Sequence, residues 1–312
     1  FCLCMICHGE LVRRKPTSQR LTEFYLLMST GGALGGIFVA LICPQVFNFN
    51  FEMSFGFVGG YLLAVFVLSD SFRQTIWLNR IWKRRAALAG CVFLLMFVVW
   101  AQFKTYDAEA ILMKRNFYGV LKVKDFEVGS ADYIRELLHG RILHGSQFQD
   151  SIRRKMPTTY FVRESGIGIA LNHICKIDEP ARIAVVGLGA GTLATYGRPG
   201  DYYCFYEINP DVIEIAQKYF SYLRDSPAKT QLELGDARIR LERQQAQKYD
   251  LIALDAFTGD AIPVHLLTKE AFEVYFRHLR DPNRGIIAVQ ATNTYVDLLP
   301  VAHQLAAHFQ LQ

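Results

Sequence analysis

Residues 183–197 read IAVVGLGAGTLATYG, an apolar run that opens directly into a turn carrying Gly187, Gly189 and Gly191. Glycine has no Cβ and tolerates positive φ, so such a turn lets backbone N–H groups come close to a ligand. The GxGxG spacing is common to dinucleotide-binding and S-adenosylmethionine-binding sheets, and it also arises in glycine-rich loops. Its meaning therefore depends on the residues downstream.

Downstream of the turn, apolar strand and amphipathic helix alternate repeatedly. After IAVVG and a helix come YYCFYE with the helix PDVIEIAQKYFSYL, and QLELGDA with the helix RIRLERQQA. YDLIALD with the helix TKEAFEVYFRHL and a last strand, GIIAVQ, complete the series. Strands alternating with helices predict an α/β fold with a doubly wound parallel sheet. We assign residues 166–312 to this nucleoside-binding domain, and the chain stops within another helical pattern, so further strands are expected beyond it. Upstream, FYGVLKV alternates and IRELLHGRILHGSQF gives two β-like runs punctuated by His139-Gly140 and His144-Gly145. This predicts a small antiparallel β-domain over 105–165.

Ligands of such sheets bind at the carboxyl ends of the strands. Those ends are polar throughout: Gly187, Glu207, Gly235-Asp236, Asp255 and Gln290. Glu207 follows Gly187 by 20 residues, the spacing at which an acid takes two ribose hydroxyls. Asp236 is expected beside an adenine, accepting from its exocyclic amine. Nothing here suits a pyrophosphate, so an adenosyl sulfonium fits better than NAD. Asp255 heads DAFTGDAIPVHLL, where Asp260 offers a second carboxylate. One acid can orient an ammonium while the other removes the proton that hides an amine lone pair.

The first third of the chain has a different character. Phe24 to Cys43 is an uncharged run of 20 residues, long enough to cross a hydrocarbon core of about 30 Å. Met53 to Ser69 and Ala86 to Phe103 are shorter uncharged runs. A membrane domain of about three helices is expected over 1–104. FCLCMIC reads as the tail of another apolar helix, so the chain is expected to be a fragment. Gly31, Gly35, Gly32 and Gly36 repeat at the four-residue spacing that brings helix backbones together. No Asp, Glu, Lys or Arg interrupts the three runs, which argues against a proton or ion relay. The net charge of +5 is concentrated in RRK at 13–15 and KRR at 83–85, beside the apolar runs, and gives no case for nucleic acid. The seven cysteines show no metal-ligand spacing; Cys4-Met-Ile-Cys7-His8 matches a haem-attachment pattern but sits in an apolar run.

Taken together, HGSQ at 144–147, the glycine turn, YEINPDV at 206–212, GDA at 235–237, LDAFTGDAIPVHLLTKEAF at 254–272 and VQ at 289–290 resemble the spermidine synthase (polyamine aminopropyltransferase) family. The resemblance covers roughly residues 117–312. CHGELVRRKP and FYLLMSTGGALGGIFVAL are similar to its bacterial membrane-fused branch. It implies a small β-domain ahead of a methyltransferase-like (Rossmann-type) sheet. It also implies that Asp255 is the proton acceptor, with Gln147, Glu207 and Asp236 holding decarboxylated S-adenosylmethionine as co-substrate beside the turn of Gly187 and Gly189. Tyr160, Asp260 and Gln290 fall on the substrate side. No metal and no permanently bound cofactor is expected. The expected partners are a small amine such as putrescine and the lipid bilayer, and a homo-oligomer stays open.

Two departures touch substrate choice. Where the family carries Asp in its glycine turn this chain has Ala190, so the donor's ammonium lacks a carboxylate there and Ala190→Asp is expected to restore it. The loop after Asp255 is two residues longer than usual, so Asp260 corresponds only approximately. Methyl transfer from S-adenosylmethionine and a non-catalytic polyamine- or nucleoside-binding module remain as alternatives. The basic clusters put the catalytic part outside if all three runs span, whereas the supply of S-adenosyl nucleosides puts it in the cytoplasm. We expect the latter, at a bacterial inner membrane.

Overall fold

The computed structural model describes residues 1–73, 86, 89–90, 92–93, 95–101, 104, 110–175, 179–257, 263–293 and 296–311. The chain forms two compact units, Phe1–Glu109 with Arg115–Phe117, and Ala110–Lys114 with Tyr118–Gln312.

The first unit is helical, with α1 at Cys2–Arg13, α2 at Leu21–Ile37, α3 at Cys43–Val46 and α4 at Phe51–Arg73. The stretch Ser18–Val46 has a mean hydropathy of 2.0 and, among the described residues, is the one helix long and apolar enough to cross a membrane. Between α2 and α3 the helix widens to a π turn over Phe38–Ile42, just before Pro44. Proline has no N–H to give to the preceding turn, and a widened turn is one way to absorb the lost bond. No described atom outside the helix lies within 4 Å of a Cβ built on Gly31, Gly32, Gly35 or Gly36, so the small-residue face has no described neighbour. The expected span over Met53 to Ser69 falls within α4, whose apolar part is Phe51–Ala64. The expected third span and its KRR flank lie largely outside the described residues.

The second unit holds both sheets apart from the last two residues of the first strand. Strands β1 (Ala110–Asn116), β2 (Gly119–Phe126), β3 (Ile134–His139) and β4 (Ile142–Phe148) form a four-stranded sheet in the order β1-β2-β3-β4. The β2–β3 and β3–β4 pairs are antiparallel, with a register shift between Leu137 and Leu138. β5 (Arg182–Val186), β6 (Tyr202–Glu207), β7 (Lys229–Leu234), β8 (Leu251–Leu254) and β9 (Ile286–Val289) form the second sheet, in the order β7-β6-β5-β8-β9. Every pair in it is parallel. The order reverses at β5, so the crevice opens beside the glycine turn.

Alternation along the central strands divides the core. Ile183, Val185, Tyr203, Phe205, Leu251 and Ala253 face one side, where they pack with α5 (Gly166–Ile174) and α6 (Pro210–Tyr219). Ala184, Val186, Cys204, Tyr206, Ile252 and Leu254 face the other, against α8 (Ala237–Arg243) and α9 (Lys269–His278), which come after the short α7 (Tyr222–Asp225). Both faces being covered explains why these strands read as near-continuous apolar runs. A last helix, α10 (Leu299–His308), comes after β9. Leu121, Val123 and Leu137 of the small sheet join the first core, which fixes that sheet over the crevice.

Two helices differ from the sequence reading. The glycine turn leads into a five-residue 3-10 helix, Thr192–Tyr196, and not an α-helix. It is bounded by Gly191 at φ 85° and by Gly197 with Pro199 close behind, which leaves too few residues to nucleate a full helix. The helix expected over PDVIEIAQKYFSYL breaks at Phe220-Ser221 into α6 and α7.

Candidate functional site

Every strand end of β5, β6, β7 and β8 reaches one cavity. Gly187, Leu188 and Gly189 line it from β5, Glu207 and Asn209 from β6, Gly235 and Asp236 from β7, and Asp255 from β8. The small sheet closes it with Tyr118, His139 and His144, and the segment beginning at Pro263 adds that residue and His265. The structure thus brings together Gly187, Gly189, Glu207, Asp236 and Asp255, all of them expected from the sequence.

The turn needs its glycines. Gly187 and Gly189 have φ of 97° and 54°, and a Cβ on either would collide with a carbonyl oxygen, that of Asp255 for Gly187 and that of His144 for Gly189. Glu207 locks the same turn: Oε2 accepts from the Leu188 N–H at 3.0 Å and Oε1 from the Asn209 N–H at 2.8 Å. Burial raises the Glu207 pKa while these donors pull it back, and the residue is only 8% exposed. A carboxylate fixed this way presents its remaining lone pairs to the cavity without reorganising.

Asp255 is the least compensated group in the site. Its N–H continues the strand pairing to the Val186 carbonyl at 2.9 Å, but Oδ1 is buried without a hydrogen-bond partner. Burial raises its pKa well above the usual carboxylate range, and the Glu207 charge raises it further. A buried acid of this kind is strained until it meets a proton or a cation.

Asp236 has two tasks. Oδ1 caps α8 by accepting from the Ile239 N–H at 2.9 Å, and Oδ2 pairs with His265 Nε2 at 2.7 Å. His265 does not emerge from sequence reasoning, since it sits in a short 3-10 helix, Val264–Leu267, with no spacing signal. The sequence offers His139 as turn punctuation and His144 as that and as the start of the HGSQ motif, with no site role for either, yet both face the cavity, with ring centroids 5.4 Å apart. Among the described residues, no group of three or more His, Cys, Asp or Glu could hold a metal ion.

Gln147, Tyr160 and Gln290 are not among the described residues that line the cavity. Gln147 is 2% exposed, and its amide is fully engaged. Oε1 accepts from the Ser221 N–H at 2.9 Å, and Nε2 donates to the Arg154 carbonyl at 2.9 Å and Ser221 Oγ at 2.8 Å. It secures the break between α6 and α7. Burial raises the Tyr160 pKa and the Asp255 charge raises it further, and the residue comes directly after Thr159, a β-branched residue at φ 57°. Backbone strain of this kind at a non-glycine residue is kept only where the surroundings demand it. Gln290 ends β9, its N–H bonded to the Leu254 carbonyl at 2.9 Å. Asp260 lies outside the described residues. Ala190 is 1% exposed and packs on Gly145, where an added side chain would strike its Cβ. The expectation that Ala190→Asp restores an ammonium site is therefore corrected: the position faces the small sheet's backbone and is absent from the cavity lining.

No family model matches the chain. It is 35% identical over 136 residues to the polyamine aminopropyltransferase of Vibrio vulnificus (strain CMCP6), covering 42% of this chain and 43% of that protein. It is 34% identical over 124 residues to an N-terminal histidine N-methyltransferase of Emericella nidulans, covering 37% of this chain and 21% of that protein. The chain thus spans less than half the length of these curated relatives. Among solved structures it is similar to a spermidine synthase in complex with the transition state analogue AdoDATO, with TM-score 0.49 and 16% identity, covering 64% of this chain and 65% of that one. The likeness to the Vibrio protein is to a 136-residue stretch of a polyamine aminopropyltransferase.

Proposed function

We propose, from that kinship and from the site, that the second unit is an aminopropyltransferase using decarboxylated S-adenosylmethionine and an amine such as putrescine. The observation that carries the reading is Asp255, a buried carboxylate with an unpartnered oxygen in the cavity where the strand ends converge. An alkylamine of pKa near 10 holds almost no free base at neutral pH. A carboxylate with a raised pKa, placed against it, is a competent proton acceptor.

In the proposed step the amine lone pair attacks the CH2 attached to the sulfonium. A C–N bond forms, the C–S bond breaks with its electron pair passing to sulfur, and methylthioadenosine leaves. The amine proton goes to Asp255. Glu207 and the glycine turn hold the nucleoside, Asp236 reads its adenine, and Tyr160 and Asp260 complete the amine side. The protein's contribution is alignment in the cavity and a base of matched strength.

Methyl transfer from S-adenosylmethionine is the second reading, favoured by the match to a histidine N-methyltransferase. The helix within Ser18–Val46 supports a membrane anchor for the protein by length and composition, and we infer a cytoplasmic catalytic unit from the supply of its donor. Incubation with either donor and an amine tests the reading, through the identity of the released nucleoside.

A further inference from the structure

The proposed reaction brings two nitrogens into the cavity, and they have opposite needs. The acceptor amine must lose a proton. The ammonium ending the donor's tail must keep its proton, or it competes as a nucleophile. Two lining side chains keep a buried atom able to accept a hydrogen bond and without a partner: Asp255 Oδ1 and His144 Nε2.

We propose that His144 binds the ammonium of the donor's aminopropyl tail, accepting at Nε2, and so selects a donor that ends in a primary ammonium. The inference rests on the alkyl-transfer reading of the site. Three observations support it. His144 stands directly over the glycine turn, its carbonyl against Gly189 and the adjoining Gly145 against Ala190. It lines the cavity together with Gly187, Leu188 and Gly189 of that turn. The backbone carbonyls of Asp255 and His144 lie against Gly187 and Gly189 of the one turn, and both side chains line the same cavity. Finally, the neighbouring imidazole is committed elsewhere, because His139 Nε2 bonds the Tyr118 carbonyl at 2.8 Å.

The chemistry suits the division of labour. Burial, reinforced by His139, lowers the His144 pKa to about 4, so its ring is neutral near pH 7 and can present a lone pair in the tautomer protonated at Nδ1. So weak a base holds an alkylammonium of pKa near 10 without deprotonating it. The donor nitrogen stays an inert cation while Asp255 handles the nucleophile.

The test is calorimetric titration of the full chain in detergent, with methylthioadenosine, decarboxylated S-adenosylmethionine and S-adenosylmethionine as probes. His144→Phe should weaken decarboxylated S-adenosylmethionine by about 10- to 100-fold, the worth of a hydrogen bond to a charged group, and leave methylthioadenosine within about threefold. His144→Gln, which keeps an acceptor oxygen, should recover most of the loss. Unchanged methylthioadenosine binding also reports that each variant is folded. Equal losses for both ligands, or no loss for either, would overturn the proposal. So would a wild-type preference for S-adenosylmethionine that His144→Phe erases, since the imidazole would then donate to a carboxylate. Failure of wild type to bind methylthioadenosine would instead remove the aminopropyltransferase reading, and this inference with it.

Discussion

Asp255 and Glu207 stand at the ends of the two strands that flank β5, and the Glu207 charge adds to burial in holding the Asp255 pKa well above its usual range. The pair is costly to the empty protein. Opposed carboxylates in a buried cleft repel, and they persist where a cationic ligand compensates them.

Asp255→Asn should therefore gain stability and lose function. A carboxyl whose folded pKa is raised binds its proton more tightly when folded, so its ionisation costs stability as pH rises from about 4 through the folded value. The amide removes that cost. We expect the variant to melt above wild type at pH 8, the gap narrowing as pH falls toward 4. Turnover should drop by at least about 10²-fold while methylthioadenosine affinity stays within a few-fold. Equal melting temperatures at both pH values, or full activity, would count against the assignment.

Glu207→Gln should weaken nucleoside binding by about 1–3 kcal/mol, since the site loses the charge and one of the two acceptor oxygens that Leu188 and Asn209 hold in place. It also removes the anion beside Asp255. The base then ionises at lower pH, so the rising limb of the pH–rate profile should move to lower pH in whatever activity remains. A limb displaced upward would show that the two carboxylates do not repel.

Gln147→Leu separates a scaffold role from a ligand role. The change leaves the Ser221 N–H and the Arg154 carbonyl without their amide partner, which should cost on the order of 1–3 kcal/mol and lower Tm by several degrees. Methylthioadenosine affinity of the folded protein should hold within about threefold. A preserved Tm with lost affinity would return Gln147 to the binding site.

Asp236 gives a base-specific test. If it accepts from the adenine amine, methylthioinosine, with a carbonyl at that place, should bind wild type at least about tenfold more weakly than methylthioadenosine. Asp236→Asn keeps an oxygen for the α8 cap and can donate to that carbonyl, so it should shrink the discrimination. Discrimination unchanged in the variant would move adenine recognition elsewhere, with His265 as the nearest candidate.

The parallel sheet is legible in the sequence because each strand is buried on both faces and each helix is amphipathic, so period alone separates YYCFYE from PDVIEIAQKYF. The strand ends are legible for the same reason: Glu207, Asp236 and Asp255 are polar groups that close apolar runs. The small sheet is half visible. β1 carries Lys114 and Arg115 in its strand and shows no clean alternation, so nothing local separates it from the residues before it. The imidazoles are hidden because their roles depend on β4 folding over Gly189, a contact between residues 45 positions apart that no local pattern encodes. Gln147 looks like a ligand residue through its motif, yet its partners, Ser221 and Arg154, are set by the tertiary fold.

The most direct test of the central claim is product identification. The protein is incubated with decarboxylated S-adenosylmethionine and putrescine, and in parallel with S-adenosylmethionine, and the products are resolved by mass spectrometry. The account predicts methylthioadenosine and an aminopropylated amine in equal amounts in the first reaction, both absent in Asp255→Asn. Release of S-adenosylhomocysteine with a methylated amine in the second reaction, and no methylthioadenosine in the first, would contradict it.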